Sequence, residues 1–288
     1  MRTHHTCDEH AVTIQVEGLT QTTSFFHNTD AHISCDTEID REYEAYSNRM
    51  NNAFKDRNTT QSFAQQILIA QQKKVDLIAL TGDQINYPSP SSVSFVFKTV
   101  QRCGIPVLYT AGNHDWHFEG MAGSSHDLRS IWREKRLAPL YNGHNPSHTA
   151  IDLNGLCVVA IDNATYQVSE EQLAFFQAQT ARNWPTVLLI HIPLFLHGTD
   201  KSPLCGNPAW GYATDRNYAV ERRERWPISG NLPSTTAFLE TVKTTPNLVA
   251  ILCGHTHQNR EAAHSNAVQY ETRAGFLGGY RIFQFVPY

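Results

Sequence analysis

The chain has 288 residues, 41% of them hydrophobic, and a net charge of −4 with histidine neutral. That much apolar side chain excludes a disordered chain, and the slightly acidic balance argues against a surface dedicated to nucleic acid. No run of eighteen apolar residues offers a membrane span and no signal-peptide core stands at the N-terminus, so a cytoplasmic, single-domain α/β protein is expected.

In chain order, residues 11–30 read as two extended runs hinged at Glu17-Gly18, a β-hairpin leading into a buried strand, with His4, His5 and His10 near a frayed end. Residues 41–74 read as helix in two pieces broken at RNTT. VDLIALTGD, 75–83, is a short apolar run closed by glycine, the pattern of a strand covered on both faces. Ser91 to Arg102 is helical and Gly104 stops it. IPVLYTAGNHD, 105–115, is the next strand and loop, and 125–137 is helical with Pro139 ending the pattern. Residues 148–162 turn back at Asn154-Gly155, Ser169 caps a helix that runs to about Arg182, and 186–191 is a strand. Residues 193–233 hold Pro, Gly and aromatics without periodicity and read as a long cap-like insertion. Ser234 caps a short helix, 247–257 is a strand and loop, and 267–288 alternates like antiparallel strands about Gly278-Gly279. The six cysteines form no C-x-x-C pair and are expected to be reduced thiols that pack as small hydrophobes.

Five of these strands end in polar clusters: Asp30-Ala31-His32, Gly82-Asp83, Gly112-Asn113-His114-Asp115, His191, and Gly254-His255-Thr256-His257. Loops at the carboxyl ends of α/β strands converge, so these clusters can share one pocket. Asp, Asn and His offer oxygen and imidazole donors without thiolate, a set that suits Mn, Fe, Zn, Co or Ni. In DAH and HTH the two donors are two residues apart, which on extended chain places them on one face.

The order D-x-H, GD, GNHD, H, GHTH, running from Asp30 to His257, resembles the calcineurin-like metallophosphoesterase family. The resemblance implies a four-layer α/β sandwich, with two mostly mixed β-sheets packed face to face and flanked by helices. It implies two divalent or trivalent transition-metal ions: Asp30, His32 and His257 on one, Asn113, His191 and His255 on the other, and Asp83 bridging both. A metal-bridging hydroxide would attack phosphorus in line. His114 matches the family histidine that assists the leaving oxygen, and Asp115 would accept from its other ring nitrogen. The substrate would be a small phosphorylated molecule, monoester or diester. A nucleotide-type pyrophosphate is the alternative, and a non-catalytic scaffold of the same fold is the rival from another class. That rival is disfavoured because every ligand position is filled.

Around this core, His117 follows Asp115 closely enough to reach the pocket rim, and Trp210, Tyr212 and Arg216 in the insertion are candidate substrate contacts, aromatics for stacking and Arg for phosphate. Asp162-Asn163 reads as ordinary turn chemistry. The purple acid phosphatases of the superfamily carry Tyr three residues after the bridging Asp; here that position is Asn86, with Tyr87 next, so no tyrosinate-to-iron colour is expected.

Overall fold

The computed structural model describes residues 1–35, 37–44, 48, 52, 54, 57–116, 129, 131–196, 203–215, 226–265 and 267–288. Its strands are β1 (Thr3–Cys7), β2 (Ala11–Val16), β3 (Thr23–Asn28), β4 (Leu77–Thr81), β5 (Val107–Thr110), β6 (His148–Leu153), β7 (Leu156–Ile161), β8 (Thr186–Leu189), β9 (Leu248–Cys253), β10 (Arg260–His264), β11 (Ala267–Glu271) and β12 (Arg281–Pro287). The α-helices are α1 (Thr59–Lys73), α2 (Pro90–Cys103), α3 (Ala138–Tyr141), α4 (Glu170–Thr180) and α5 (Pro233–Thr244).

Two six-stranded mixed sheets result, ordered β1-β2-β12-β3-β4-β5 and β10-β11-β9-β8-β7-β6. The interior strands β4, β7, β8 and β9 are buried at every position because both of their faces are covered. In β4, Leu77 and Ala79 point into the layer between the sheets, where they meet Val158, Val187 and Leu252. Ile78 and Leu80 point the other way, onto Phe63 and Ile67 of α1 and Val96 of α2. In β7, Val158 and Ala160 face the middle layer. Cys157, Val159 and Ile161 face outward, in the cluster with Phe176 of α4 and Phe238 of α5. The four layers expected from the resemblance are therefore present.

Local chemistry accounts for most boundaries. Asn58 caps α1 by accepting from Gln61 N, and Gly104 closes α2 at φ 70°. Ser169 and Gln172 form a reciprocal capping box on α4. Asn154 and Gly155, both at positive φ, make the two-residue turn between β6 and β7. All six cysteines are free thiols.

Four expectations are corrected. The expected hairpin at Glu17-Gly18 does not form: β12 lies between β2 and β3, parallel to the first and antiparallel to the second. The hairpin is one strand earlier, β1 against β2, so His4 and His5 are paired with Gln15 and Ile14 instead of frayed. The C-terminal alternation is real, but β11 belongs to the second sheet and β12 to the first, and β11 pairs with β10 instead. Alternation tells which face of a strand is buried, not which strand is its neighbour. Pro139 does not end its helix; it follows a π-turn, Arg133–Leu137, and sits in the first turn of α3, where no N–H is required. α5 begins at Pro233 with Leu232 as cap, and Ser234 Oγ instead donates to Val168 O at 2.7 Å.

Candidate metal centre

Asp30 and His32 follow β3, Asp83 follows β4 and Asn113 follows β5, three adjacent parallel strands of the first sheet. His191 follows β8, and His255 and His257 follow β9, two adjacent parallel strands of the second. The carboxyl ends of the two sets meet at one edge of the sandwich. His191 Nε2 lies 3.3 Å from Asp83 Oδ2 and 3.2 Å from Asn113 Oδ1. His257 Nε2 lies 3.3 Å from Asp30 Oδ1 and 3.4 Å from His32 Nε2. His32 Nε2 is 3.9 Å from both Asp30 Oδ1 and Asp83 Oδ2. Three groups close enough to hold an ion emerge among the described residues: Asp30, His32 and His257; His32, Asp83 and His114; and Asp83, His191 and His255.

The backbone does unusual work here. Asp30, His32, Asp83, His255 and His257 all have positive φ, between 45° and 69°. Such angles are uncommon outside glycine, and they gather where structure elsewhere holds them in place. DAH and HTH are therefore not extended strand, as the two-residue spacing suggested. Their donors converge because left-handed residues flank Ala31 and Thr256, not because of a pleat. Ladder-like bonds hold the first loop, from Asp30 N to Gly82 O at 3.0 Å and His32 N to Asp83 O at 2.9 Å.

The loops after β4 and β5 touch backbone to backbone. A Cβ on Gly82 would fall on Gly112, and one on Gly112 would fall on the Asp83 carboxylate. Across the sheets, a Cβ on Gly254 would collide with Thr29 Oγ1 and Asp30 Oδ2. Each carboxylate divides its oxygens between frame and cluster. Asp30 Oδ2 accepts from Thr29 Oγ1 (2.8 Å) and His255 N (2.9 Å), which leaves Oδ1 facing His257. Asp83 Oδ1 accepts from His114 N (2.8 Å), which leaves Oδ2 between His32 and His191. His191 donates Nδ1–H to Thr81 O at 2.8 Å, so Nε2 is the nitrogen turned inward.

The charges in this cluster call for cations. Burial works against every charge, yet Asp83 stays well below the usual carboxylate range because the histidines around it, His191 first, outweigh that cost. Burial also opposes protonation of His191, but Asp83 and Asp30 raise it to about 10. Asp30 falls to about 2 despite burial, held down by His257 and His191. His32 and His255 are pushed down to about 3, by burial first and then by neighbouring imidazoles. The carboxylates thus draw positive charge into a buried site, and metal ions would supply the same charge. Donors about 2.1 Å from a common ion stand roughly 3–3.4 Å apart, close to the shorter separations seen here. Asp30 Oδ1, buried and without a hydrogen bond of regular geometry, fits the same reading. The donor set therefore fits transition metals.

A sequence profile described as calcineurin-like phosphoesterase matches residues 23–259, which spans every one of these donors. The chain belongs to the calcineurin-like phosphoesterase family. Relatives include a probable cyclic nucleotide phosphodiesterase of Fibrobacter succinogenes, 28% identical over 200 residues, 69% of this chain and 64% of that protein. The match thus covers just under two thirds of that relative's length. A probable cyclic nucleotide phosphodiesterase of Psychrobacter arcticus is 21% identical over 220 residues, 76% of this chain and 68% of that one. In fold, the chain resembles the crystal structure of a dimetal phosphatase from Danio rerio, at a TM-score of 0.57, 11% identity and 89% coverage of both chains.

In this calcineurin-like phosphoesterase, one expected partnership is replaced. Asp115 does not orient His114: its Oδ1 accepts from Ile85 N (3.1 Å) and its Oδ2 from Gly112 N (2.9 Å). Burial, then repulsion from Asp83, raises that carboxyl to about 7. The carbonyl of Asn86 takes its place, 3.1 Å from His114 Nδ1. Asn86 thus serves through its main chain, and Tyr87 is fully buried in the core under α2. Asn163 is more than a turn residue. Its Oδ1 accepts from His191 N (3.2 Å) and Ile192 N (3.0 Å), and its Nδ2 donates to Ile192 O.

Four neighbours were missed altogether. Phe54 stacks on His32, ring centroids 5.0 Å apart, and Phe276 packs edge-on against both His32 and His257. Tyr166 places its hydroxyl 3.0 Å from His255 Nε2, and Glu271 receives a hydrogen bond from Thr256. No strand-end motif marks these positions. Of the candidate substrate contacts, Trp210 packs partly buried against the outer core of the second sheet and Tyr212 is 43% exposed. His117 and Arg216 lie outside the described residues. No described helix is long and apolar enough to cross a membrane.

Proposed function

We propose that this chain hydrolyses a small phosphoester, with a nucleotide diester of the cyclic type as the first substrate to test. The observation that carries the reading is Asp83 Oδ2, a single carboxylate oxygen facing His191 on one side and His32 on the other. Asp30, His32 and His257 would hold one ion, Asn113, His191 and His255 a second, and Asp83 would serve both. A shared anion is what two closely spaced cations need. When bound, such ions acidify water and draw charge off the phosphate oxygens; Mn, Fe, Zn, Co and Ni all suit these donors.

The chain's own residues do the rest. The Nδ1–H of His114 is committed to the Asn86 carbonyl, so Nε2 is the nitrogen that gives a proton or hydrogen bond to the departing oxygen. Phe54 and Phe276 wall off the His32 side and keep those imidazoles in register. His117, Arg216, Trp210 and Tyr212 are the candidate contacts for the organic part of the substrate. The relatives' names favour a cyclic nucleotide over a pyrophosphate or a scaffold role.

The test is hydrolysis of 3′,5′- and 2′,3′-cyclic nucleotides and of nitrophenyl mono- and diesters by metal-reconstituted protein, before and after chelation. Turnover that is lost with chelator and restored by one of the five metals supports the reading. No turnover with any metal, in protein that contains two equivalents, would leave the scaffold alternative standing.

A further inference from the structure

The turn that follows β7, residues 163–166, belongs to none of the five strand-end motifs, yet it reaches two of the donors. At its start, Asn163 accepts from the backbone of His191 and Ile192. At its end, Tyr166 brings its hydroxyl to 3.0 Å from His255 Nε2. His191 and His255 are the two histidines of one of the two groups that contain Asp83.

Tyr166 is held in an unusual way to do this. Its φ is +64°, a left-handed conformation that a bulky side chain adopts only under constraint. Its N–H closes the turn on Asn163 O at 2.8 Å. The side chain is 1% exposed. The ring meets His255 edge-on, centroids 5.5 Å apart at 83°, and the Trp226 indole lies 5.6 Å away. Trp226, itself 3% exposed, comes from the far end of the 193–233 insertion.

We propose that Tyr166 is a positioning residue for the ion held by Asn113, His191 and His255, through its hydrogen bond to His255. With Nε2–H donated to the phenol oxygen, the lone pair of Nδ1 is the one left to bind metal. A partner on the far ring nitrogen fixes both tautomer and ring angle, and the loss of such partners typically weakens metal binding by about 10- to 100-fold. The histidine of the other half-site, His257, leans on Asp30 and Phe276 instead, so the two half-sites are supported separately. Trp226 then gives the insertion a second purpose, as the backing of Tyr166.

This inference rests on the two-ion reading above, and the experiment separates the two. Parent protein, Tyr166→Phe and Trp226→Leu are stripped of metal and titrated with Mn(II) by equilibrium dialysis. Long-range ¹H–¹⁵N spectra of the metal-free proteins report the His255 tautomer. Parent protein is expected to take two equivalents and to show a single Nε2–H tautomer. Tyr166→Phe should bind one equivalent as the parent does and the other about 10- to 100-fold more weakly, with a mixed tautomer and an unchanged melting temperature. Trp226→Leu should lower melting while keeping the single tautomer. Two undisturbed equivalents in Tyr166→Phe, equal weakening of both, or a split as large in Trp226→Leu as in Tyr166→Phe would each overturn the role of the phenol. A parent that binds fewer than two equivalents would sink the two-ion reading itself, and this inference with it.

Discussion

The Nδ1 of His114 points at the carbonyl oxygen of Asn86, 3.1 Å away, so the main chain of the neighbouring loop aims this imidazole. On the proposed reading His114 is no ligand, although it stands in one of the three candidate groups, so removing its ring would not empty the site. His114→Ala is expected to retain both metal equivalents and to lower kcat by about 10²–10⁴, read by steady-state kinetics beside elemental analysis. Asp83→Asn should lose metal and turnover together. Full activity in His114→Ala would remove the leaving-group role.

Asp115 should behave unlike an orienter. Its two oxygens tie the loop after β4 to the loop after β5 through Ile85 N and Gly112 N. Asp115→Ala leaves two buried N–H groups unpaired, at about 1–3 kcal/mol each. The expected outcome is a lower melting temperature and reduced metal content. Normal metal and melting with only kcat reduced would return Asp115 to the role first expected of it.

Gly254→Ala is expected to cost metal affinity. The added methyl has no room beside Thr29 and Asp30 Oδ2, the oxygen that takes His255 N–H. Moving either loop breaks the junction between the sheets, so both equivalents should weaken by at least about tenfold. Metal titration of the variant checks this, and parent-like binding would show that the loops give way freely.

His27 sets a pH dependence of folding. It is wholly buried between Thr272 Oγ1 (2.8 Å) and Thr81 Oγ1 (2.7 Å). Burial, and then Arg281, lowers it from 6.5 to about 3. Between those values the unfolded chain binds a proton that the folded chain refuses, so stability from this group is full above about pH 6.5 and drains as pH falls toward 3. Denaturant melts of metal-free protein at pH 4–7 should be steeper in pH for the parent than for His27→Gln, by up to about 1.4 kcal/mol per unit. Equal slopes would mean that His27 is protonated in the fold.

The cluster of candidate donors was legible because each sits at the end of an apolar strand, all but His191 beside glycine or within a short motif, and parallel strands must send those ends to one side. Its supports were not. Asn86 acts through a carbonyl, which every residue has, so no side-chain pattern can announce it. Tyr166 and Phe276 are read as core aromatics in a sequence and touch the site only through tertiary folding. The left-handed angles at Asp30, His32, His255 and His257 run against local preference and are imposed by the loops that hold them. The sheets were legible in the same partial way: alternation marked 267–288 as strand, and Phe283 and Phe285 do lie in the middle layer, but nothing local could say that β12 would enter between β2 and β3.

That entry governs when the molecule can close. β12 is the last strand of its sheet to be made, yet it sits in the interior, with β1 and β2 on one side and β3 on the other. On the ribosome, the β1–β2 hairpin therefore has no place to dock until residues 281–287 leave the exit tunnel. Until then β2 and β3 each present an open edge, the kind of surface that invites pairing with another chain.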